Sequence, residues 1–397
     1  MIDARAARAD PSEFRRKLAR KGAADAFDGW VAADERWRAL VPQVDELRAR
    51  TKLKGKPTPE QLEELRRVKD ELQRLENELA AAETARDEAL TQVPNPPDDS
   101  SPDGDTDEDA VEIRRFGERP KLESPREHTE IGRFDMDRAA RVSGARFGYL
   151  IGDTALLALA VYRFAIEVVS DAGYLPVLPP VLVREEAMYG TGFFPTEKSN
   201  IYAIESDELY LTGTSEVALA GLHMGEILDE LPLRYAGFST NFRREAGAAG
   251  KDTRGMFRVH QFNKVEMFVF CEPSASSEEH ERILAIEERV LQGLGIPYRV
   301  VNVAAGDLGA SAAKKYDCEG WFPSQQRYRE LTSTSNTTDF QARRLGVRWR
   351  NGKNVEPVHT LNGTAVTDRA VLAILENFQG DVPDVLLQYG APPRVQR

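Results

Sequence analysis

Residues 243–266 gather the side chains best suited to chemistry: Arg243-Arg244-Glu245, a Gly/Ala-rich turn, Asp252-Thr253-Arg254-Gly255, then Arg258-Val259-His260-Gln261-Phe262-Asn263-Lys264-Val265-Glu266. The run reads as strand, glycine loop, strand. In a strand over 257–270 side chains alternate between faces, so Arg258, His260, Phe262, Lys264 and Glu266 share one face. The same parity puts Arg243 and Glu245 on one face of the preceding strand. Such a row suits a nucleoside triphosphate beside an amino acid: arginines hold phosphates, a flat ring stacks on adenine, a carboxylate holds an ammonium group. A solvated sheet face of ion pairs is the alternative, and the apolar ring in mid-row weighs against it.

The elements that position this row follow from composition and pattern. The chain has 397 residues, 41% hydrophobic and 30% charged, enough for two or three domains with a substantial core. A net charge of −12 argues against blanket nucleic-acid binding, so any RNA contact requires a local basic patch. Two cysteines, Cys271 and Cys318, form no CxxC pair, which speaks against a zinc or disulfide framework. The start, Met1-Ile2-Asp3-Ala4-Arg5, lacks an apolar signal core. The most apolar run, 155–169, is interrupted by Arg163 and Glu167 and is too short to span a bilayer. A cytoplasmic protein without membrane contact is expected.

Residues 27–52 carry a heptad through Trp30, Trp37, Val44 and Thr51, with Ala33, Leu40 and Leu47 as companions and Pro42 as a local kink. A second heptad runs through Leu65, Val68, Leu72, Leu75, Leu79 and Ala82. The turn at 52–59 cannot continue a helix, so one chain makes a long antiparallel coiled-coil hairpin whose seams satisfy each other. An oligomerisation coiled coil is the alternative. The hairpin tip is basic, with Arg48, Arg50, Lys52, Lys54 and Lys56. Phosphate contact or a solvated turn would each account for it. Prolines and acids crowd 94–109, composing a linker that cannot bury a core. Two domains are expected, 1–105 and 106–397.

Beyond the linker, strands are expected near 111–113, 174–183, 209–213, 233–242, 257–271, 297–303 and 327–332. Helices are expected over 147–172, 215–228, 278–293 and 366–378. This is an α+β pattern, a mostly antiparallel sheet flanked by helices, unlike the alternating parallel pattern of a Rossmann fold. Pro176, Pro179 and Pro180 exclude 174–183 from mid-sheet and place it at an edge or interface.

Phe242-Arg243-Arg244-Glu245 resembles motif 2 of class II aminoacyl-tRNA synthetases, and the extended string RVHQFNKVE resembles seryl-tRNA synthetases of the bacterial type. The resemblance covers the whole chain. It implies a class II catalytic domain and a helical arm that reads the shape and backbone of the long variable arm of tRNA. It also implies a homodimer built on motif 1, where Pro180 matches the motif's proline. The implied reaction activates L-serine with ATP to seryl-adenylate and passes serine to the 3' end of tRNA(Ser), and of tRNA(Sec) where present.

The resemblance also assigns roles. Arg243 bridges the serine carboxylate and the α-phosphate. Glu245 meets the adenine, with Arg244 beside it; ion-paired loop residues are the other reading of Arg244 and Arg254. Arg258 holds the outer phosphates, Val259 offers backbone, and Phe262 stacks on adenine. Glu266 holds serine. Leu211-Thr212-Gly213-Thr214-Ser215-Glu216 resembles the family's serine loop, so Thr214, Ser215 and Glu216 meet the amino acid. A helix start with a capping residue is the other reading of that string. Glu330, Leu331, Thr332 and Ser333 fall where the family places its metal–ATP contacts, with Glu330 and Ser333 on Mg²⁺. Their opposite parity requires a bulge or strand end between them. In the segment Thr360-Leu361-Asn362-Gly363-Thr364-Ala365-Val366-Thr367-Asp368-Arg369, the chain is one residue shorter than the family's motif 3 and lacks its glycines. Thr364 stands for the usual serine, and Arg369 aligns with the class arginine at the γ-phosphate. Thr334 stands where the family often has cysteine. His260 matches a structural position, and no Ser/His/Asp constellation accompanies it.

Two other readings use the same fold. Related ligases that load a carrier protein lack the arm and use thiol-bound zinc, whereas this chain carries the arm without the thiols. A specialised or non-enzymatic paralogue with an altered pocket is the second, and the shortened motif 3 is its main support.

Overall fold

The computed structural model describes residues 1–52, 58–246 and 255–397. The chain divides into two compact units, Met1–Pro96 and Pro97–Arg397.

In the first unit, two short helices, Ala4–Ala9 and Pro11–Ala19, precede α1 (Ala24–Arg50) and α2 (Pro59–Gln92). α1 carries Pro42 within its span. α2 starts on a reciprocal cap: Thr58 Oγ1 accepts from Gln61 N–H and the Gln61 side chain accepts from Thr58 N–H. The heptad seams meet as expected. Val44, Leu47, Val68 and Leu75 are buried together, with Leu40, Leu72 and Leu79 packed against them. Each such side chain contributes about 1.5–3 kcal/mol relative to exposure, so the hairpin is held by its own seam. Phe27, Trp30, Leu90 and Val93 close the other end with Ile2 and with Ala7 and Leu18 of the two short helices, which periodicity did not reveal. Trp37 is capped by the Arg86 guanidinium, 4.0 Å from the ring centre.

The second unit is built on an eight-stranded sheet. Its strands are β1 (Val111–Phe116), β2 (Leu175–Val177), β3 (Leu233–Phe242), β4 (Gln261–Cys271), β5 (Tyr298–Asn302), β6 (Lys314–Phe322), β7 (Arg327–Asn336) and β8 (His359–Thr367). Their order is β1-β5-β6-β7-β8-β4-β3-β2. Every pairing is antiparallel except β2 with β3. The proline-bearing β2 lies at the edge, where a missing N–H costs no ladder bond. Helices α3 (Asp153–Asp171), α4 (Ser276–Gly293) and α5 (Asp368–Phe378) bury one main core against the sheet. On β4 the odd positions Val265, Met267, Val269 and Cys271 join that core. Phe268 and Phe270 join a smaller cluster on the opposite face. Both cysteines are fully buried.

Several expectations are corrected. β4 begins at Gln261, so Arg258 and His260 precede the strand instead of sharing its face. β3 ends at Phe242, leaving Arg243 and Glu245 in the connection; Glu245 takes a left-handed conformation with φ 50°. The helix predicted at 147–172 begins at Asp153, and the one at 215–228 spans only Glu216–Gly221. β6 was not foreseen. The acidic segment after Pro97 is docked by its backbone: Asp98 N–H donates to Ala313 O, while Pro102 O and Gly104 O accept from Ala305 and Gly306 N–H. A proline-rich strand can be held by main-chain bonds without an apolar face, which composition cannot show. Among the described residues no helix is long and apolar enough to cross a membrane.

Candidate active site

β4 carries the site because its even side chains point away from the helix layer. Phe262 and Lys264 reach a cavity of about 580 Å³, and Glu266 lies just behind its wall. Two bulges shape the neighbouring strands. Glu319 pairs with Glu330 while Cys318 pairs with Thr332, so Leu331 is the extra residue on β7. Glu330 and Ser333 thereby face the same cavity despite opposite parity, as the sequence required. On β8, Val366 pairs with Val265 while Thr364 pairs with Glu266, making Ala365 the extra residue. Ala365 and Val366 both enter the core, and Thr364 and Thr367 both line the cavity. The shortened motif 3 is thus a bulged strand running straight into α5. Thr367 caps that helix by accepting from Arg369 N–H, which sets Arg369 in its first turn at the cavity wall.

The deep end is a buried polar cluster. Lys264 Nζ lies 2.6 Å from Thr214 Oγ1 and 2.6 Å from Glu266 Oε2. Glu266 also accepts from Asn362 Nδ2 (3.0 Å) and Thr364 Oγ1 (3.1 Å). Glu216, 7% exposed, accepts from Gln341 Nε2 at 2.7 Å. Burial, with the nearby Glu266 charge, pushes the Glu216 carboxyl up to about 7, and Gln341 and Lys264 oppose this. One ammonium shared by two buried carboxylates leaves the second poised near neutrality.

The outer end is more cationic. Arg243 lies over the Phe262 ring at 5.2 Å and donates from Nε to Gly213 O. Arg258 pairs with Glu245 at 3.1 Å. Arg369 donates to Glu330 O at 3.0 Å, lies 3.4 Å from its carboxylate and rests over Phe257 at 4.5 Å. Burial works against ionisation of Glu330, yet Arg369, Lys315 and Arg243 outweigh it and hold the carboxyl well below the usual range. Asp368 is pushed up to about 7 by burial, against an opposing bond from Asn263 N–H. His260 Nδ1 is engaged by Arg243 O at 2.8 Å, tying the two limbs of the connection together.

The cavity brings together Thr214, Glu216, Arg243, Glu245, Arg258, Val259, Phe262, Glu330, Leu331, Ser333, Thr364 and Arg369. It does not bring in four other expected residues directly. Glu266 acts through Lys264, Asn362 and Thr364. Ser215 is buried, with its Oγ 2.6 Å from Ser239 Oγ. Arg244 is exposed, and only its backbone is fixed, to Asn200 O. Thr332 points to the opposite face, donating to Glu287 Oε2, as parity dictates once the bulge is placed at Leu331. At the hairpin tip, Arg48 and Arg50 pair with Glu76 and Glu64, and Lys52 is exposed. Lys54 and Lys56, like Arg254, lie outside the described residues. Sequence reasoning missed Asn362, Gln341, Glu197, Ser335 and Phe257. Ser335 shares parity with Ser333, and Asn362 sits within the motif; Gln341 carries no local signal.

Clustered guanidiniums, ordered acceptors and hydroxyls, with no free nucleophile–base pair among the described residues, suit charge neutralisation and positioning on phosphate. Among the described residues there is no group of three or more His, Cys, Asp or Glu side chains arranged to hold a metal.

A bulged antiparallel sheet with such a cavity defines a class II aminoacyl-tRNA synthetase core, and residues 200–378 match the family model for the class II core domain (G, H, P, S and T). Residues 1–97 match the seryl-tRNA synthetase N-terminal domain. The chain belongs to the seryl-tRNA synthetase family. It is 48% identical to a serine–tRNA ligase of Acidothermus cellulolyticus, over 96% of this chain and 94% of the relative. It is 46% identical to one of Mycobacterium tuberculosis, over 98% of each. A seryl-tRNA synthetase from Pyrococcus horikoshii solved with ATP superposes with a TM-score of 0.93 at 39% identity, covering 100% of this chain and 99% of that one. The cytoplasmic serine–tRNA ligase of Naegleria fowleri solved with AMP gives 0.89 at 33% identity, covering 98% and 96%.

Proposed function

We propose that this protein is an ATP-dependent serine–tRNA ligase. A serine carboxylate oxygen attacks the α-phosphorus of ATP, the bond to the β-phosphate bridge breaks, and pyrophosphate leaves. A hydroxyl of the terminal ribose of tRNA(Ser) then attacks the seryl carbonyl, and AMP leaves. The carboxylate needs no base, so the protein contributes alignment and charge. The observation that carries this reading is one cavity lined by Arg243 and Phe262 at its outer end and by Thr214 and Lys264, backed by the buried Glu266, at its deep end. Arg243, at the outer end beside Phe262, neutralises the approaching anions. Phe262 stacks on adenine, Glu245 hydrogen-bonds it, and Arg258 and Arg369 take the outer phosphates. Glu216, Thr214 and Thr364 hold serine, and Glu266 positions them from behind through Lys264 and Thr364. A small pocket rejects threonine, and hydrogen bonds to the hydroxyl reject alanine.

Glu330 and Ser333 offer an ionised carboxylate and a hydroxyl to one cavity, a donor set that fits a hard cation sharing its shell with phosphates and water. They would hold Mg²⁺, which when bound offsets phosphate charge. The hairpin arm serves tRNA(Ser), and tRNA(Sec) where the cell has one. The working form is a homodimer.

The test is ATP–pyrophosphate exchange driven by each of the twenty amino acids in turn. Serine alone is expected to support it. Arg243→Ala is expected to lower serine-dependent exchange at least about 100-fold without changing the melting temperature. Exchange driven by another amino acid would return the protein to the altered-pocket reading, and full activity in Arg243→Ala would refute the site.

A further inference from the structure

Behind the outer wall of the cavity lies a second buried polar group that the reaction does not use. His128, in the short helix His128–Ile131, is 1% exposed, and Glu376 of α5 is fully buried. His128 Nδ1 is 2.8 Å from Glu376 Oε1. Glu376 Oε2 accepts from Ser324 Oγ (2.6 Å) and Ser324 N–H (3.2 Å), while Oε1 also faces His128 N–H (3.4 Å). Each carboxylate oxygen therefore meets a backbone N–H, so the imidazole must donate from Nδ1. That leaves Nε2 as an acceptor, and Met256 N–H points to it at 3.4 Å. Gly255, at φ 75°, leaves room for the same atom, since an added Cβ there would lie 3.0 Å from Nε2. Met256 begins the segment Met256-Phe257-Arg258-Val259 that forms the cavity wall. Among the described residues Glu127, with Oε1 4.0 Å from Nε2, is the other charged group facing the ring.

We propose that His128, fixed as the Nδ1–H tautomer by Glu376, is a positioning residue that holds the nucleotide-binding wall at Met256–Val259 through its Nε2 lone pair. The proposal rests on the nucleotide reading of that wall. It predicts that ATP binding depends on an acceptor at this place and serine binding does not.

Two near-isosteric variants separate the halves of the contact. In His128→Asn the amide reaches Glu376 but not Met256; in His128→Gln the carbonyl reaches Met256 N–H. Leaving a buried N–H unpaired should raise the ATP KM about tenfold in His128→Asn. His128→Gln should recover most of that change, and the serine KM should hold in both. Equal ATP KM values for the two variants, or a parallel rise in the serine KM, would overturn the proposal. Should the variants fold poorly, ¹⁵N-histidine NMR of the wild-type protein at pH 8 decides, because the chain has five histidines. The ring of His128 is expected as the Nδ1–H tautomer, and an Nε2–H tautomer would overturn the proposal. The NMR result does not depend on catalysis, so absent serine-dependent exchange would remove the nucleotide reading and leave the hydrogen-bond assignment to be judged separately.

Discussion

At the scale of single residues, Lys264 governs the charge of the amino-acid end. Its ammonium contacts Glu266 directly, so Glu216 nearby is the carboxylate that burial leaves near neutrality, at about 7. Below that value Glu216 is protonated and cannot balance a substrate ammonium; above it the carboxylate is ionised. Serine kcat/KM is therefore expected to rise with pH toward 7 and level off beyond it, and the rise should vanish in Glu216→Gln. Stability runs the other way. A carboxyl raised on folding contributes fully below its unfolded value, and the contribution is lost as pH rises through about 7. The melting temperature of Glu216→Gln should accordingly gain on the wild type between pH 5 and pH 8. Initial-rate exchange and calorimetry check the two halves. Period-two alternation was enough to place Phe262 and Lys264 correctly. It misplaced Arg258 and His260, because the strand starts after them and the Glu245 pair, not the pleat, brings Arg258 to the cavity. Gln341 was invisible because it arrives from a distant helix.

At the scale of elements, the two bulges matter most. One was legible, since Glu330 and Ser333 could share a ligand only if a residue were inserted between them. The other, at Ala365, was not, because a shortened motif reads as a deletion and gives no hint that the strand absorbs it by shifting register. β6 was missed because Lys314, Lys315, Asp317 and Glu319 break its apolar pattern; the last three share a face whose charges are paired, Lys315 with Asp317 and Arg299 with Glu319. The hairpin was the most legible element, because a seam of heptads needs only itself. That self-sufficiency gives a prediction: replacing residues 30–92 by a short bridge should leave serine-dependent exchange intact and abolish charging of tRNA(Ser). Unchanged charging in a filter-binding aminoacylation assay would show that RNA is read elsewhere.

For the whole molecule, apolar exposure on the second unit points to self-association. The apolar positions of α3 divide between two faces: Leu157 and Val161 are in the core. Leu156 and Leu159 on the same helix stay 48% and 62% exposed, and Leu175 and Leu178, in and after the edge strand, 61% and 83%. Apolar side chains left on an edge strand and a helix are what a twofold partner covers. The protein is expected to be a dimer by light scattering at micromolar concentration, and Leu159→Glu with Leu178→Glu should give a monomer. A wild-type monomer would exclude this surface as the interface.

The sulfur inventory has one more consequence. Both cysteines lie in the helix-facing core, and Thr334, between the cavity-lining Ser333 and Ser335, offers a hydroxyl and no thiol. Burial pushes the Cys271 thiol up to about 12 and Cys318 well above its ordinary value. Only a thiolate reacts readily with peroxide, disulfides or alkylating compounds, and the chain has no other cysteine to offer one. Thiol-directed oxidants and alkylating reagents therefore find no ready target among the side chains, and serine-dependent exchange is expected to survive exposure to them.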